Sequence, residues 1–469
     1  MNTKETSFPH SLTVAALSLL FVLMAVLPAS AQALSQKAAI SQGVETKKQA
    51  VTSTVHAAKT TIKQPTDSAS RAEAEKALPT DLKASVLVVG PGNSTYNCWG
   101  HCALRLTCPS RGIDYFFTYG LYMSLENLAG FFAGTSKARF IVMKPHEYMQ
   151  DYVNENRAME EYRLNLSVEE IRRLWKLVDE NTKESSARYF TLEDHCASEV
   201  LWKVEECLGS GSLVFGNLPE YKTLREFLSL NSNQRPWAGF WWKLLCGRQG
   251  DTSCSTEALL APIVLVPVMR HSFIEEPDGS RRPLLADGGR PTVRYKARPD
   301  GPSTPGTLVD GRFVYEDQTA GMNFWTSPLG VFLVIFVLTA AVSFAQWRKQ
   351  WRRLPHVVDV ALLTVQSVVG AFLIYCVFFS NHKSFHGNVH VVIFNVVPLL
   401  VVAVTRFSPR FRASRLRSRL WLAMAAVCVL FAAAAPLSPQ IELTYVFISL
   451  TFAMRCGVKG LCLIAAERN

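Results

Sequence analysis

Five apolar runs in the last third of the chain constrain the fold more than any other feature. They cover about 327–346, 357–379, 389–405, 420–435 and 441–458. A backbone in lipid has no water to bond, so a segment that crosses must satisfy its own N–H and C=O groups. Runs near 20 residues do this as helices. The links "QWRKQWRR" (346–353) and "TRFSPRFRASRLRSRL" (405–420) are strongly basic, whereas "SNHKSFHGNVH" (380–390) has Lys383 as its only lysine or arginine. The positive-inside rule makes the basic links cytoplasmic and puts everything before Ser327 outside. Those links also account for most of the net charge of +11, so the charge implies no nucleic-acid partner.

The N-terminus agrees. Lys4 precedes the apolar run "LTVAALSLLFVLMAV", and Ala29-Ser30-Ala31 supplies a small-residue cleavage site, so 1–31 reads as an export signal. Residues 32–82, rich in Ala, Ser, Thr, Lys and Gln, cannot bury a core and read as a flexible tether. A compact α+β domain is expected over 83–270, a juxtamembrane linker or loose β extension over 271–326, and an all-α transmembrane bundle of about five helices over 327–469. Within the α+β domain, "ASVLVVGPG" (84–92), "WGHCALRLTC" (99–108), "IDYFFTYG" (113–120) and "APIVLVPVM" (261–269) read as strands. "SVEEIRRLWKLVDENT" (167–182) reads as a helix, with Ser167 and Glu170 forming a capping box.

Seven cysteines lie outside the membrane: Cys98, Cys102, Cys108, Cys196, Cys207, Cys246 and Cys254. In an oxidising compartment an odd number leaves one thiol over. Cys246 and Cys254 are the expected disulfide, because the turn "GRQGDTS" between them is short. "TLEDHCASEVLWKV" (191–204) places Cys196 at a helix start, with Asp194 as the expected N-cap and Cys196 as the second helical residue. Free amides and the positive end of the helix dipole favour a thiolate there. The base it needs is offered by His101, which opens a strand and shares a face with Ala103 and Arg105. His195 is a second candidate, though its side chain diverges from that of Cys196. Taken singly, a buried cysteine and a satisfied core histidine are the bland readings of Cys196 and His101.

Several stretches occur in the order seen in one family: "WGHCALRL", "FTYGLYMSLENLAGFFAG", "LNLSVEEIRRL", "ARYFTLEDHCAS" and "PWAGFWWKLLCGRQGDTSCSTEALLAPIVL". Over about 84–270 the chain resembles the Lnb-type N-terminal periplasmic domain, itself similar to permuted NlpC-like, papain-like folds in which the histidine strand precedes the cysteine helix. The resemblance implies a cysteine–histidine acyltransferase of the cell inner membrane, its catalytic domain periplasmic. Such an enzyme moves an acyl chain from the glyceryl group of a lipoprotein, or from a phospholipid, to the α-amine of the lipoprotein's N-terminal cysteine. It carries the nucleophile onto Cys196 and the base onto His101, and puts Tyr119, Asn127, Arg157, Tyr189 and Asp251 on recurring positions. It also matches His382, Asn388, Asn395 and Pro398 to a recurring pattern in the outer membrane loop. One departure is that the family usually has Asn where this chain has His195. Asn93, Tyr119 and Asn127 are the candidates for orienting His101, and the Ala197 amide for holding an oxyanion.

No cofactor and no metal are expected. His382, His386 and His390 have helical spacing for a metal site, but no carboxylate or exported thiol accompanies them. The loop polars are alternatively caps on two helix ends. Arg455 and Lys459 in the last run are either a functional charge in lipid or a snorkelling tail. Phe131, Phe132, Trp237, Phe240, Trp241 and Trp242 suit an acyl groove or a membrane rim, with core packing as the other reading. Two competing functions remain at this point: a periplasmic cysteine hydrolase, either a cell-wall peptidase or amidase or a lipid esterase, using the same dyad with water; and a non-enzymatic membrane scaffold.

Overall fold

The computed structural model describes residues 79–92, 97–120, 130–155, 157–183, 187–188, 194–232, 236–295, 307–309, 312–314, 323–348 and 353–468. The expected export signal, nearly all of the tether, and Asn93, Asn127 and Tyr189 lie outside these residues. The chain divides into two compact units. One is drawn from Pro28–Glu220 with Cys254–Gln318, the other from Tyr221–Ser253 with Thr319–Asn469.

The first unit is an antiparallel sheet with helices on both faces. Its strands are β1 (Lys83–Val89), β2 (His101–Cys108), β3 (Ile113–Gly120), β4 (Lys137–Met143), β5 (Met159–Arg163) and β6 (Ala187–Arg188). In a small second sheet β8 (Phe273–Glu275) pairs with β7 (Ser212–Val214) on one side and β9 (Arg281–Pro283) on the other, and β10 (Val293–Tyr295) edges the main sheet. Among the described residues the main order is β10-β5-β1-β2-β3-β4-β6. β1 is a continuous apolar run because both of its faces are covered. Helix α1 (Pro145–Asn154) sends Tyr148 and Tyr152 onto Leu87, Val89, Ala103, Phe116 and Met159. On the opposite face, Trp175 of α2 (Val168–Lys183) meets Phe117 edge-on at 6.3 Å. The expected capping box is formed, with Glu170 Oε2 accepting the Ser167 amide at 2.7 Å. Helix α3 (Cys196–Leu208) lies beside α2 and contacts β2 and β3. The β1–β2 register pairs Val89 with His101 and Val88 with Cys102, placing those residues at one end of the sheet.

Two expectations change. The run 261–269 is helix, not strand: α4 (Leu224–Ser232) and α5 (Pro236–Leu245) precede it, and it forms the core of α6 (Pro262–His271). Pro262 pre-sets the first helical turn, while Pro267 would have removed a ladder bond from a central strand. Because Pro262–Val266, Val268 and Met269 are all buried, no periodicity marked the run as helical. The other change concerns residues 221–253, read above as part of the periplasmic domain, which cluster with the membrane helices.

That second unit has α7 (Pro328–Trp347), α8 (Arg353–Phe379), α9 (Val397–Phe407), α10 (Arg415–Ala433) and α11 (Leu443–Arg468). Among the described residues five segments are long and apolar enough to cross a membrane, the third running Val389–Phe407. Phe240 and Leu244 of α5 enter one core with Leu373, Ile393, Phe431 and Tyr445. The Tyr445 hydroxyl donates to the Phe240 carbonyl at 2.8 Å. The aromatic helix is thus built into the bundle.

In the same bundle Arg455 is 1% exposed, so the snorkelling reading does not hold. Its Nε donates to Asp359 Oδ1 at 2.7 Å, Nη1 to Ser343 Oγ at 2.8 Å and Nη2 to Gln346 Oε1 at 2.9 Å. Lys459 lies 3.8 Å from the other Asp359 oxygen and over the Trp421 ring. The charge is therefore internally paired between α7, α8 and α11. Removing one member strands the other in a low-dielectric interior, so Arg455→Ala should destabilise the protein by about 3–5 kcal/mol. The swap Asp359→Arg with Arg455→Asp should recover part of that. Thermal unfolding in detergent checks it, and a swap no better than the single variant would rule out the pair as the source of stability.

Candidate active site

The N-terminus of α3 is built by its own sequence. His195 is extended (φ −124°, ψ 177°) and is the N-cap, so Cys196 is the first helical residue, one position earlier than Asp194 as cap would give. His195 Nδ1 accepts the amides of Ala197 at 3.3 Å and Ser198 at 3.4 Å. In return, the His195 amide donates to Ser198 Oγ at 3.0 Å. With Nδ1 accepting, Nε2 carries the proton and donates to the Glu257 carbonyl at 2.8 Å. Burial holds this ring neutral, lowering its pKa to about 4. A ring committed at both nitrogens is a cap, which removes His195 from the candidate bases. It also accounts for the departure at this position, since a side-chain acceptor is kept there.

Cys196 is 4% exposed. The backbone amides of Cys102, Ala197 and Cys196 itself bond its sulfur, and Arg157 adds a favourable charge, but burial dominates and pushes the thiol up to about 11. The expectation of a thiol lowered by the helix dipole is thus corrected: desolvation outweighs the helix end. The resting group at neutral pH is a thiol.

His101 sits next to the residue whose amide reaches that sulfur. Its Nε2 is 2.6 Å from Thr118 Oγ1 on β3, and its ring lies 6.3 Å from that of Tyr152. Arg157 stacks over Tyr152 at 4.8 Å and donates from Nε to the Gly90 carbonyl at 2.7 Å and from Nη1 to Glu155 at 3.0 Å. Tyr148 meets Tyr152 edge-on at 5.1 Å. Both phenols are held neutral by burial. Tyr119 is buried against Phe140 and feels Asp194 and Glu199 at the start of α3. The sheet end therefore gathers Cys196, His101 and Arg157, with Tyr119 toward the same helix start. Thr118, Tyr148 and Tyr152 were missed by the sequence reading. Thr118 shares the His101 face only through the β2–β3 register, in which Ala103 pairs with Thr118.

Asp251, His382 and Asn388 belong to the membrane unit. Asp251 binds Arg225 Nε at 2.6 Å and Gln440 Nε2 at 2.9 Å. Asn388 Nδ2 donates to the Leu244 and Leu245 carbonyls, closing the C-terminal end of α5, and its Oδ1 accepts from His390 Nδ1 at 2.9 Å. Asn395 Oδ1 accepts the Val397 amide at 3.1 Å, and Pro398 lies in the first turn of α9. His382 packs on Phe385, with ring centroids 4.7 Å apart. The outer loop forms 3-10 turns rather than a helix, so His382, His386 and His390 do not share a helical face. Cys246 keeps its thiol, so the Cys246–Cys254 disulfide is not formed. Of the aromatic candidates, Phe240 and Trp242 are buried, Trp237 donates to the Thr326 carbonyl at 3.0 Å, and Phe131 packs edge-on against Phe132.

These features define a membrane protein whose periplasmic α+β domain carries a buried cysteine beside a strand histidine. Residues 70–229 match the Lnb N-terminal periplasmic domain and residues 319–466 the Lnb transmembrane domain, so the chain belongs to the Lnb family. Membership points to a membrane enzyme that modifies lipoproteins. No curated protein and no solved structure matches the chain.

The neutral His195 carries a pH signature. Unfolded, the ring titrates near 6.5; folded, near 4. Between these values the unfolded state holds the extra proton, so stability falls as pH drops, by up to about 3 kcal/mol in all. His195→Asn keeps an acceptor without the titration. Denaturant midpoints at pH 7 and 4.5 should converge less for wild type than for the variant; equal acid sensitivity would refute the assignment.

Proposed function

We propose that this protein is a cysteine–histidine N-acyltransferase of the inner membrane, acting on the periplasmic side. The acyl chain comes from the glyceryl group of a lipoprotein and ends on the α-amine of its N-terminal cysteine. The observation that carries the reading is the bond from the Cys102 amide to the Cys196 sulfur, which ties the thiol to the residue after His101.

Because the thiol rests protonated, attack needs a base acting as the substrate arrives. Thr118 holds His101 at Nε2, so the Cys196 proton passes to Nδ1. The thiolate adds to the ester carbonyl, and the amides facing the sulfur stabilise the oxyanion. The glyceryl oxygen leaves with the proton from His101, and a thioester remains on Cys196. The α-amine then attacks, its proton goes to His101, and amide formation returns the thiol. Arg157 favours the thiolate and fixes Tyr152 beside His101. Tyr119 supports the start of α3. Asp251, Asn388 and His382 serve the membrane unit, where they join α5 and the outer loops. Anchoring to the bilayer raises the effective concentration of two lipid-bound substrates.

The test is mass spectrometry of the N-terminal lipopeptide of a reporter lipoprotein in a host lacking its own N-acylation enzyme. The wild-type protein should add an acyl group to the amine while the glyceryl group loses one. Cys196→Ser should abolish this, and His101→Ala should reduce it at least about a hundredfold. An unchanged lipopeptide with confirmed expression sinks the transferase reading. Loss of the glyceryl chain without gain on the amine would favour the hydrolase.

A further inference from the structure

A cysteine at the first position of a 13-residue helix ordinarily has the unbonded amides of that turn at its disposal, and this lowers its pKa. In this chain two of those amides are taken. Ala197 and Ser198 N–H both point at His195 Nδ1, at 3.3 and 3.4 Å. The Ala197 amide is thereby shared between the imidazole and the Cys196 sulfur. The ring cannot turn away, because Nε2–H is held by the Glu257 carbonyl at 2.8 Å and the side chain is buried. The same bond fixes the tautomer, so Nδ1 is always the acceptor.

We propose that His195 is a positioning residue that withholds the helix N-terminus from Cys196, adding to burial in lowering the standing fraction of thiolate before His101 removes the proton. The functional meaning rests on Cys196 being the nucleophile, as proposed above. The consequence is chemical. A standing thiolate in an oxidising compartment invites oxidation and off-target acylation, whereas a thiol activated on demand does not. The groups that act on the sulfur from other elements are Arg157, Tyr148, Tyr152 and the Cys102 thiol, with His101, the proposed base, next to Cys102 and against Tyr152. Among them only Arg157 favours the thiolate, and it stays in place when His195 is changed.

The experiment follows iodoacetamide alkylation of Cys196 against pH in the full-length protein in detergent, read by mass spectrometry of the Cys196 peptide. His195→Ala and His195→Gly both lack the acceptor, and glycine is well tolerated at an N-cap, so one folded variant is secured. Freed of the competitor, the Ala197 amide is left to the sulfur alone. The alkylation midpoint should fall by about one pH unit, a roughly tenfold faster reaction at pH 7. His195→Asn, which keeps an acceptor, should stay near wild type. Because unfolding would also expose the thiol and speed alkylation, only variants that unfold cooperatively at a denaturant midpoint close to wild type are compared, and lipopeptide transfer is measured on the same proteins. An unchanged or raised midpoint in folded Ala or Gly protein would overturn the proposal, as would an Asn variant shifted as far as they are. Alkylation needs no lipoprotein substrate, so failure of the transferase reading would appear only in the lipopeptide arm.

Discussion

Burial of Cys196 sets the terms for the rest of the periplasmic site. A thiolate in that position would lose its water, and burial outweighs what three backbone amides and Arg157 return. Activation therefore has to come from outside the helix. On the proposed reading the sheet supplies it through register: β2 presents His101 at its first residue, and β3 presents Thr118 on the same face. The wall of Tyr148, Tyr152 and Arg157 completes a cluster in which the arginine is fixed by a main-chain carbonyl and a carboxylate. Each group is held by a partner on a different element, so the geometry is a property of the whole sheet end rather than of a loop.

The membrane unit obeys a related rule in a drier medium. Every buried charge or backbone carbonyl needs a partner supplied by the protein. Arg225 lies between Asp251 and the carbonyls of Cys246 and Gly247, and Gln440 extends the network to the Val389 amide. Gly247 shows how closely these segments approach: its amide donates to the Ser384 carbonyl at 2.7 Å, and an added Cβ would fall 2.1 Å from the His386 carbonyl oxygen. Asn388 and Asn395 satisfy main-chain groups where helices start and stop. The Asn388 bonds close the end of the short aromatic helix α5 within that unit.

Much of this was legible in the sequence where a local rule governs. The capping box at Ser167 and Glu170, the β1 to β3 strands and the five membrane spans all follow from patterns within a few residues. What escaped depends on partners far apart in the chain. Thr118 required a register, Asp359 as the partner of Arg455 required a helix contact across 96 positions, and helix α6 was a run apolar on every side. His195 is the instructive case. Its place next to Cys196 suggested a base, yet its role follows from Glu257, which lies 62 residues away and fixes which nitrogen holds the proton.

A thioester on Cys196 would face a choice between an amine and water, and the structure bears on that choice through burial. At 4% exposure the sulfur is shielded from bulk solvent, so water must be delivered, whereas an amine tethered to a bound lipopeptide arrives with its substrate. On that reading the neutral His101 left after the first step takes the proton of whichever nucleophile arrives, so delivery of the amine decides the outcome. A dry, base-equipped cysteine is thus better matched to acyl transfer than to hydrolysis, and the membrane helices give it a reason to be selective. On the proposed reading both acyl donor and acceptor are lipid-bound, so anchoring the enzyme to the bilayer favours them over dissolved nucleophiles.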